Sequence, residues 1–210
     1  MYIPKAFEET RIPVLHELIR SHPFSSLVTL GGSGLVASHI PLVLEDHPDS
    51  LGILKGHLSR ANPQWRDFSP DVPALAIFAA SQHYITPSWY PEKVSSGKVV
   101  PTWNYVVVHA YGHLKLVEDT DWLLDHLRTL TDIHESPFAE PWKITDAPAD
   151  YVHSLSKGIV GLELSIERLE GKWKLSQNRS ETDRRSVVQG LEHLGTEASD
   201  VMKSLVEDTM

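Results

Sequence analysis

From Thr102 to Asp119 the chain reads TWNYVVVHAYGHLKLVED, opened by Pro101 and free of any further proline. Val106, Val107 and Val108 are β-branched, lose rotamer freedom in a helix and pack well on a pleated surface. The segment therefore reads as one long strand crossing a whole sheet, and the rest of the chain has to supply its neighbours. SSLVTL and LVASHIPLVLE, separated by Gly31-Gly32-Ser33-Gly34, read as a hairpin whose glycines can take positive φ. LGILKGH and ALAIFAA are further strands, and IVGLELSIERLEG followed by KWKLSQN reads as the last two. Ile12, Leu15, Leu18 and Ile19 recur at helical spacing between Thr10 and His22. Asp119-Thr120-Asp121 caps a helix carrying Trp122, Leu123, Leu124, Leu127 and Leu130, and a shorter helical stretch surrounds Tyr151 to Leu155. Close-spaced strands with helices inserted, and no βαβ alternation, predict a mainly β, α+β fold: an antiparallel barrel with peripheral helices. Residues 1–178 form the barrel domain in this reading, and the charged segment 179–210 is a helical extension.

Composition narrows the function. Hydrophobic residues make up 41% of the 210 positions against 22% charged, which excludes a disordered or collagen-like chain. The absence of cysteine removes disulfides, thiolate zinc sites, iron–sulfur ligation and cysteine nucleophiles. A formal charge of −9 makes direct contact with duplex DNA doubtful, because phosphate contacts supply most of that affinity. No apolar run has membrane-spanning length, and the opening MYIPKAFEETRIP has neither a basic start nor an apolar core, so the expectation is a cytoplasmic protein with no membrane partner.

Several motifs are weaker than they look. Gly32-Ser33-Gly34-Leu35-Val36-Ala37 fits GxGxxA, but that fingerprint needs a helix to follow, and VASHIPLVLE is strand-like and interrupted by Pro41. His109 and His113 have chelate spacing on a helix. On a strand, residues four apart are separated by roughly 13 Å, at about 3.3 Å per residue, so no metal is assigned. Glu8-Glu9, Glu45-Asp46 and Asp119 fall at helix starts or turns, where acids cap or solvate. Arg184-Arg185 lies in an acidic tail and reads as a solvated helix face.

Three segments carry more. Lys55-Gly56-His57-Leu58-Ser59-Arg60-Ala61-Asn62-Pro63-Gln64-Trp65, Val100 to Tyr105, and Lys172 to Asn178 each set amides, hydroxyls or cations beside an indole. Arginine forks, lysine charges and small hydroxyls suit a phosphate, and Trp beside Asn or Gln suits a flat heteroaromatic ring. From the residues alone, a flat phosphorylated ligand and an ordinary core with surface cations both account for the pattern.

MYIPKAF, SHIPLVL, GHLSRANPQW, HYITPSWY, VPTWNYVVVHAYG and IVGLELSIERLEGKWKLSQNR, in that order, resemble the PaiB family of FMN-binding negative transcriptional regulators. The resemblance implies the FMN-binding split β-barrel, antiparallel and of Greek-key type, shared with pyridoxamine phosphate oxidases, and a homodimer with flavin between subunits. It further implies that Ser59 and Arg60 meet the flavin phosphate, flanked by Lys55, Gly56, His57 and Asn62. Thr102, Trp103 and Asn104, with Lys174 and Gln177, would line the ring or the second subunit's side. No catalytic residue follows from it. Split-barrel relatives that handle haem add haem as an alternative cofactor, with His57, His83, His109 and His113 as axial candidates, and flavin-dependent oxidoreduction is an alternative activity.

Overall fold

The computed structural model describes residues 1–210. Its strands are β1 (Glu8–Glu9), β2 (Phe24–Gly31), β3 (Gly34–Pro41), β4 (Val43–Glu45), β5 (Ile53–Ser59), β6 (Ala74–Ile85), β7 (Thr102–Val117) and β8 (Ile159–Lys174). The helices are α1 (Ile12–Ser21), α2 (Glu92–Ser95), α3 (Thr120–Glu135), α4 (Ala149–Ser156), α5 (Glu181–Leu194) and α6 (Glu197–Glu207). The eight strands make one antiparallel sheet in the order β3-β2-β6-β7-β8-β5-β4, with β1 on β8. The architecture is the expected α+β one, and the sheet is not closed by hydrogen bonds, since its path begins at β3 and ends at β4. The long strand is present as β7. The chain divides into two compact units: Met1–Leu18, Ala79–Val108 and Glu170–Met210 form one, Ile19–Phe78 and His109–Leu169 the other.

In the second unit β2 and β3 make a two-residue hairpin in the register Gly31↔Gly34 to Phe24↔Pro41. Its turn amides, Gly32 N–H at 3.0 Å and Ser33 N–H at 3.2 Å, donate to the carboxylate of Asp67. The Ser33 hydroxyl, followed by these amides, holds that carboxyl below its ordinary range. Gly34 sits at φ 101°, which a glycine adopts without strain. The GxGxxA glycines therefore form a hairpin turn whose anion is a side chain of the same protein.

Pro41 ends β3, and Leu42 alone separates it from β4, which pairs with β5 at the other end of the sheet path. Leu42 is 1% exposed. A Cβ on Gly56 of β5 would stand 2.5 Å from Leu42 Cδ2, so glycine at 56 is what lets this side chain lie against the strand. Leu27, Leu54, Leu162 and Leu164 complete a fully buried apolar set in this unit.

In the first unit β1 pairs with the end of β8 through Glu8↔Lys172 and Glu9↔Gly171. The sequence reading broke β8 into two strands near Gly171, and the structure corrects this to one. A Cβ at Gly171 would meet Leu15 Cδ2 at 2.3 Å and Glu9 O at 2.8 Å. The glycine thus serves close approach rather than a turn. α5 and α6 bury Val187, Leu191, Met202 and Val206, and are capped by Ser180 and by Thr196, with Gly195 left-handed between them.

Truncating Leu42 removes a buried branched side chain beside a backbone that cannot follow it. Leu42→Ala should cost about 2–4 kcal/mol, read as a lower urea midpoint at unchanged m. A loss under about 0.5 kcal/mol, the level of an ordinary surface substitution, would show that the side chain does not hold this seam.

Candidate functional site

β5 alternates: Leu54, Gly56 and Leu58 are buried, while Lys55, His57 and Ser59 lie on the opposite face. That face pairs Lys55 with Glu163, His57 with Gly161 and Ser59 with Ile159 of β8. The chain then makes a tight turn. Asn62 N–H donates to Ser59 O at 2.9 Å, and Arg60 N–H to Gly158 O at 2.9 Å. Asn62 caps the 3-10 turn Pro63–Trp65 by accepting from Gln64 N–H at 3.0 Å, while its amide donates to Ser38 Oγ at 2.8 Å. Trp65 Nε1 returns to Arg60 O at 3.1 Å. The SRANPQW segment is therefore rigid at the backbone, and Ser59 Oγ adds to it by accepting from Ala61 N–H at 3.2 Å.

Arg60 is about one-third exposed, and its guanidinium lies 5.5 Å from the Trp65 ring centroid. Its ion-pair partner is Glu118, at 3.4 Å from Nη2. Arg66 lies over the same indole at 4.3 Å. Two guanidiniums on one tryptophan, next to a hydroxyl, make a small basic patch on an acidic chain.

Lys55 and His57 belong to a different cluster. Lys55 pairs with Glu45 and its ammonium is 6.0 Å from the Trp122 ring. His57 Nδ1 stands 3.2 Å from His126 Nε2 of α3. Trp122 stacks on His126 with centroids 5.3 Å apart and donates from Nε1 to Glu163 at 2.9 Å. A Cβ at Gly161 would be 2.3 Å from the Trp122 ring, so the glycine opposite His57 makes room for the indole. Glu45, Lys55, Trp122, Asp125 and His126 border a cleft of about 240 Å³. Gly56 faces the other way, toward Leu42.

The remaining predicted residues lie in the first unit. Thr102 meets Lys174 Nζ. Burial, with Lys172 and Arg179 adding to it, holds the Lys174 ammonium below its ordinary range despite the counteracting Tyr105, and a hydroxyl is its partner. Asn104 and Ser176 are buried and exchange hydrogen bonds, Nδ2 donating to Oγ at 3.0 Å and Oγ to Oδ1 at 3.2 Å. Ser176 has φ 66°, the one non-glycine residue with positive φ. Gln177 turns onto its own backbone, accepting from Leu175 N–H at 2.7 Å and donating to Trp173 O at 2.6 Å. Trp103 is 51% exposed, with Tyr84 edge-on at 5.9 Å.

A family model described as "Putative FMN-binding domain" matches residues 1–168. The chain is 33% identical to the protease synthase and sporulation protein PAI 2 of Bacillus subtilis, over 100% of this chain and 98% of that one. The chain belongs to this FMN-binding-domain family. It is also 35% identical to an uncharacterized protein of Emericella nidulans, over 99% of this chain and 97% of the relative. Among solved structures, the FAD and heme binding protein from Mycobacterium smegmatis aligns at a TM-score of 0.54 and 16% identity, covering 80% of this chain and 73% of that one. FMN is the cofactor of the family, and the PaiB resemblance is met by the Bacillus protein.

The donor set fits that cofactor residue by residue, not uniformly. The Ser59–Arg60 turn offers a hydroxyl and a guanidinium fork to a phosphate monoester. Lys55 is committed to Glu45, and Gln177 to main chain. Among the haem candidates, His57 faces His126, and His83 Nδ1 lies 2.7 Å from Tyr84 O. His109 lies 3.3 Å from the Tyr111 hydroxyl, and His113 pairs with Glu167 at 2.6 Å. His126 and Arg66 were not singled out from sequence. The i, i+4 spacing of Trp122 and His126 on a helix already recognised was the available signal.

The histidine pair sets a pH dependence. Burial holds His57 below the ordinary imidazole range and takes His126 to about 4, with the charges of His57 and Lys55 adding to the second. Unfolded imidazoles titrate near 6.5, so below that pH the unfolded chain binds more protons than the folded one. The stability these rings contribute is present above about pH 6.5 and is lost as the pH falls toward about 4. Urea midpoints at about pH 7.5 and 5 should differ less in His126→Phe than in the parent, and an equal drop in both would assign the acid sensitivity elsewhere.

Proposed function

We propose that this chain is a homodimeric flavoprotein that binds FMN non-covalently, with the phosphate at Ser59 and Arg60, and that it acts as a PaiB-type negative regulator through a protein partner rather than by DNA contact. The observation that carries the binding proposal is the Arg60 guanidinium. It projects from a turn locked by Asn62 and Trp65 and meets a carboxylate only at 3.4 Å, so its fork can take a phosphate at small cost in side-chain entropy. Asn62 holds the turn rather than the ligand, since its amide is engaged with Ser38 and Gln64.

The exposed Trp103 indole, braced by Tyr84, is the group suited to a flat ring or to a second copy. On the opposite face of the same strand Thr102 supplies a hydroxyl, and its partner Lys174 of β8 a cation. Bound FMN would supply hydride or electron chemistry, and the protein binding and orientation. The net charge of −9 supports the indirect regulatory route, because a duplex would have to approach a surface of its own sign.

Flavin fluorescence titration tests the phosphate assignment. Losing a charge-assisted hydrogen bond costs about 1.5–3 kcal/mol, so Arg60→Ala should weaken FMN about 10- to 100-fold. Ser59→Ala should weaken it less, and Arg128→Ala not at all. Riboflavin, which lacks the phosphate, should bind the parent and Arg60→Ala alike. FMN affinity unchanged in Arg60→Ala would remove this site from the proposal. Sedimentation of Trp103→Glu should show a shift toward monomer, and an undisturbed dimer would take Trp103 out of the interface.

A further inference from the structure

We infer that the α3–α4 face docks a basic amphipathic helix of another protein. Between α3 and α4 runs a groove of about 480 Å³ whose apolar walls include Leu124, Ile144, Pro148 and Val152, with Arg128 and His153 also lining it. The same chain segment exposes further large apolar side chains: Phe138 is 61% exposed, Trp142 45% and Leu155 59%. Scattered apolar residues are ordinary on a surface, but a groove on a segment that exposes several is the form that partner-binding surfaces take.

The occupant is decided by charge. From Thr120 to Ser156 the sequence carries seven carboxylates against two permanent cations, Arg128 and Lys143, a net of −5 in a chain whose total is −9. Arg128 is already paired with Asp125 at 2.5 Å. Asp132, Glu140 and Asp150 are exposed and carry no ion pair. A second copy would bring two such faces of the same sign together, and a nucleic acid or an anionic membrane would be repelled. A partner with apolar anchors at helical spacing and Lys or Arg on its flanks satisfies both the groove and its rim, which is helix-in-groove recognition steered by opposite charge. This face shares no residue with the Ser59–Arg60 turn, and it gives a physical route for regulation that bypasses DNA.

The test uses the full chain and a fluorescein-labelled helical peptide of leucine and lysine, with a leucine–glutamate peptide of the same pattern as its counterpart. Fluorescence anisotropy should show saturable binding of the basic peptide, weakened at high salt, and none of the acidic one. Val152→Asp in the groove and the exposed triple reversal Asp132→Lys, Glu140→Lys, Asp150→Lys should each reduce affinity at least tenfold, while Glu181→Lys on α5 leaves it unchanged. The triple variant alters surface positions only, so it reports even where Val152→Asp fails to fold. Equal affinity in the triple variant and the parent would overturn the inference, as would binding of both peptides. A parent dimer that falls to monomer in Leu155→Glu would instead assign the face to a second copy and overturn it as well. FMN titration of the triple variant should match the parent, which separates failure here from failure of the flavin reading.

Discussion

A single buried residue, Leu42, joins the two ends of the sheet path, and this connection governs the geometry of everything built on β5. β3 and β4 lie at opposite ends of the hydrogen-bonded order, yet they are consecutive in the chain. A flat sheet cannot satisfy both facts, because strands about 4.8 Å apart would place its two edges far beyond the reach of one residue. The sheet must curl until its edges meet. Pro41, which has no N–H for the ladder, is the last residue of β3, and the next amide, Leu42 N–H, still donates to Pro23 O at 2.9 Å. Gly56 takes the space that a side chain would deny to Leu42. Curling directs Leu54, Gly56 and Leu58 inward, and the period of two then places Lys55, His57 and Ser59 outside.

What lies outside is sorted by position along β5. Near its middle, α3 covers the strand, and Gly161 on β8 admits the indole of Trp122, which in turn seats His126 against His57. Covered residues acquire protein partners: Lys55 takes Glu45, and both imidazoles are held neutral by burial. At the end of the strand Ser59 is exposed and accepts from Ala61 N–H, while Arg60 past it is about one-third exposed and pairs with Glu118. Both cations hold a carboxylate, Lys55 under the cover of α3 and Arg60 beyond it.

Elements with strong local physics were legible in the sequence. The hairpin needed a glycine turn between β-rich runs, α3 announced its cap at Asp119, and β7 announced itself by three valines. Elements defined by contact were not. Gly171 looks like a strand break until the approach of Glu9 and Leu15 shows why it lacks a side chain, and the two-residue strand β1 has no periodicity to read. The same division runs through the site. Ser59 and Arg60 are implied by the family resemblance, and the roles of Asn62 and Trp65 beside them are local to one turn. Lys55 and Gln177 were chosen on residue type, and their commitments to Glu45 and to Trp173 O depend on pairings and backbone turns that spacing does not encode.

The acidity of the chain and the anion site proposed at Arg60 are compatible because the two act over different distances. At physiological ionic strength exposed charges beyond about 8 Å are largely screened, so the net charge of −9 acts mainly on large polyanions that approach along a broad front. A phosphate monoester is small enough to be governed by the few groups it touches. The guanidiniums of Arg60 and Arg66 lie 5.5 and 4.3 Å from the Trp65 ring centroid, and the indole favours cations there. Glu118, at 3.4 Å, offsets part of that charge without closing the fork. The two guanidiniums beside Trp65 are thus a local basic notch on an acidic chain, small against the broad front that a duplex would present.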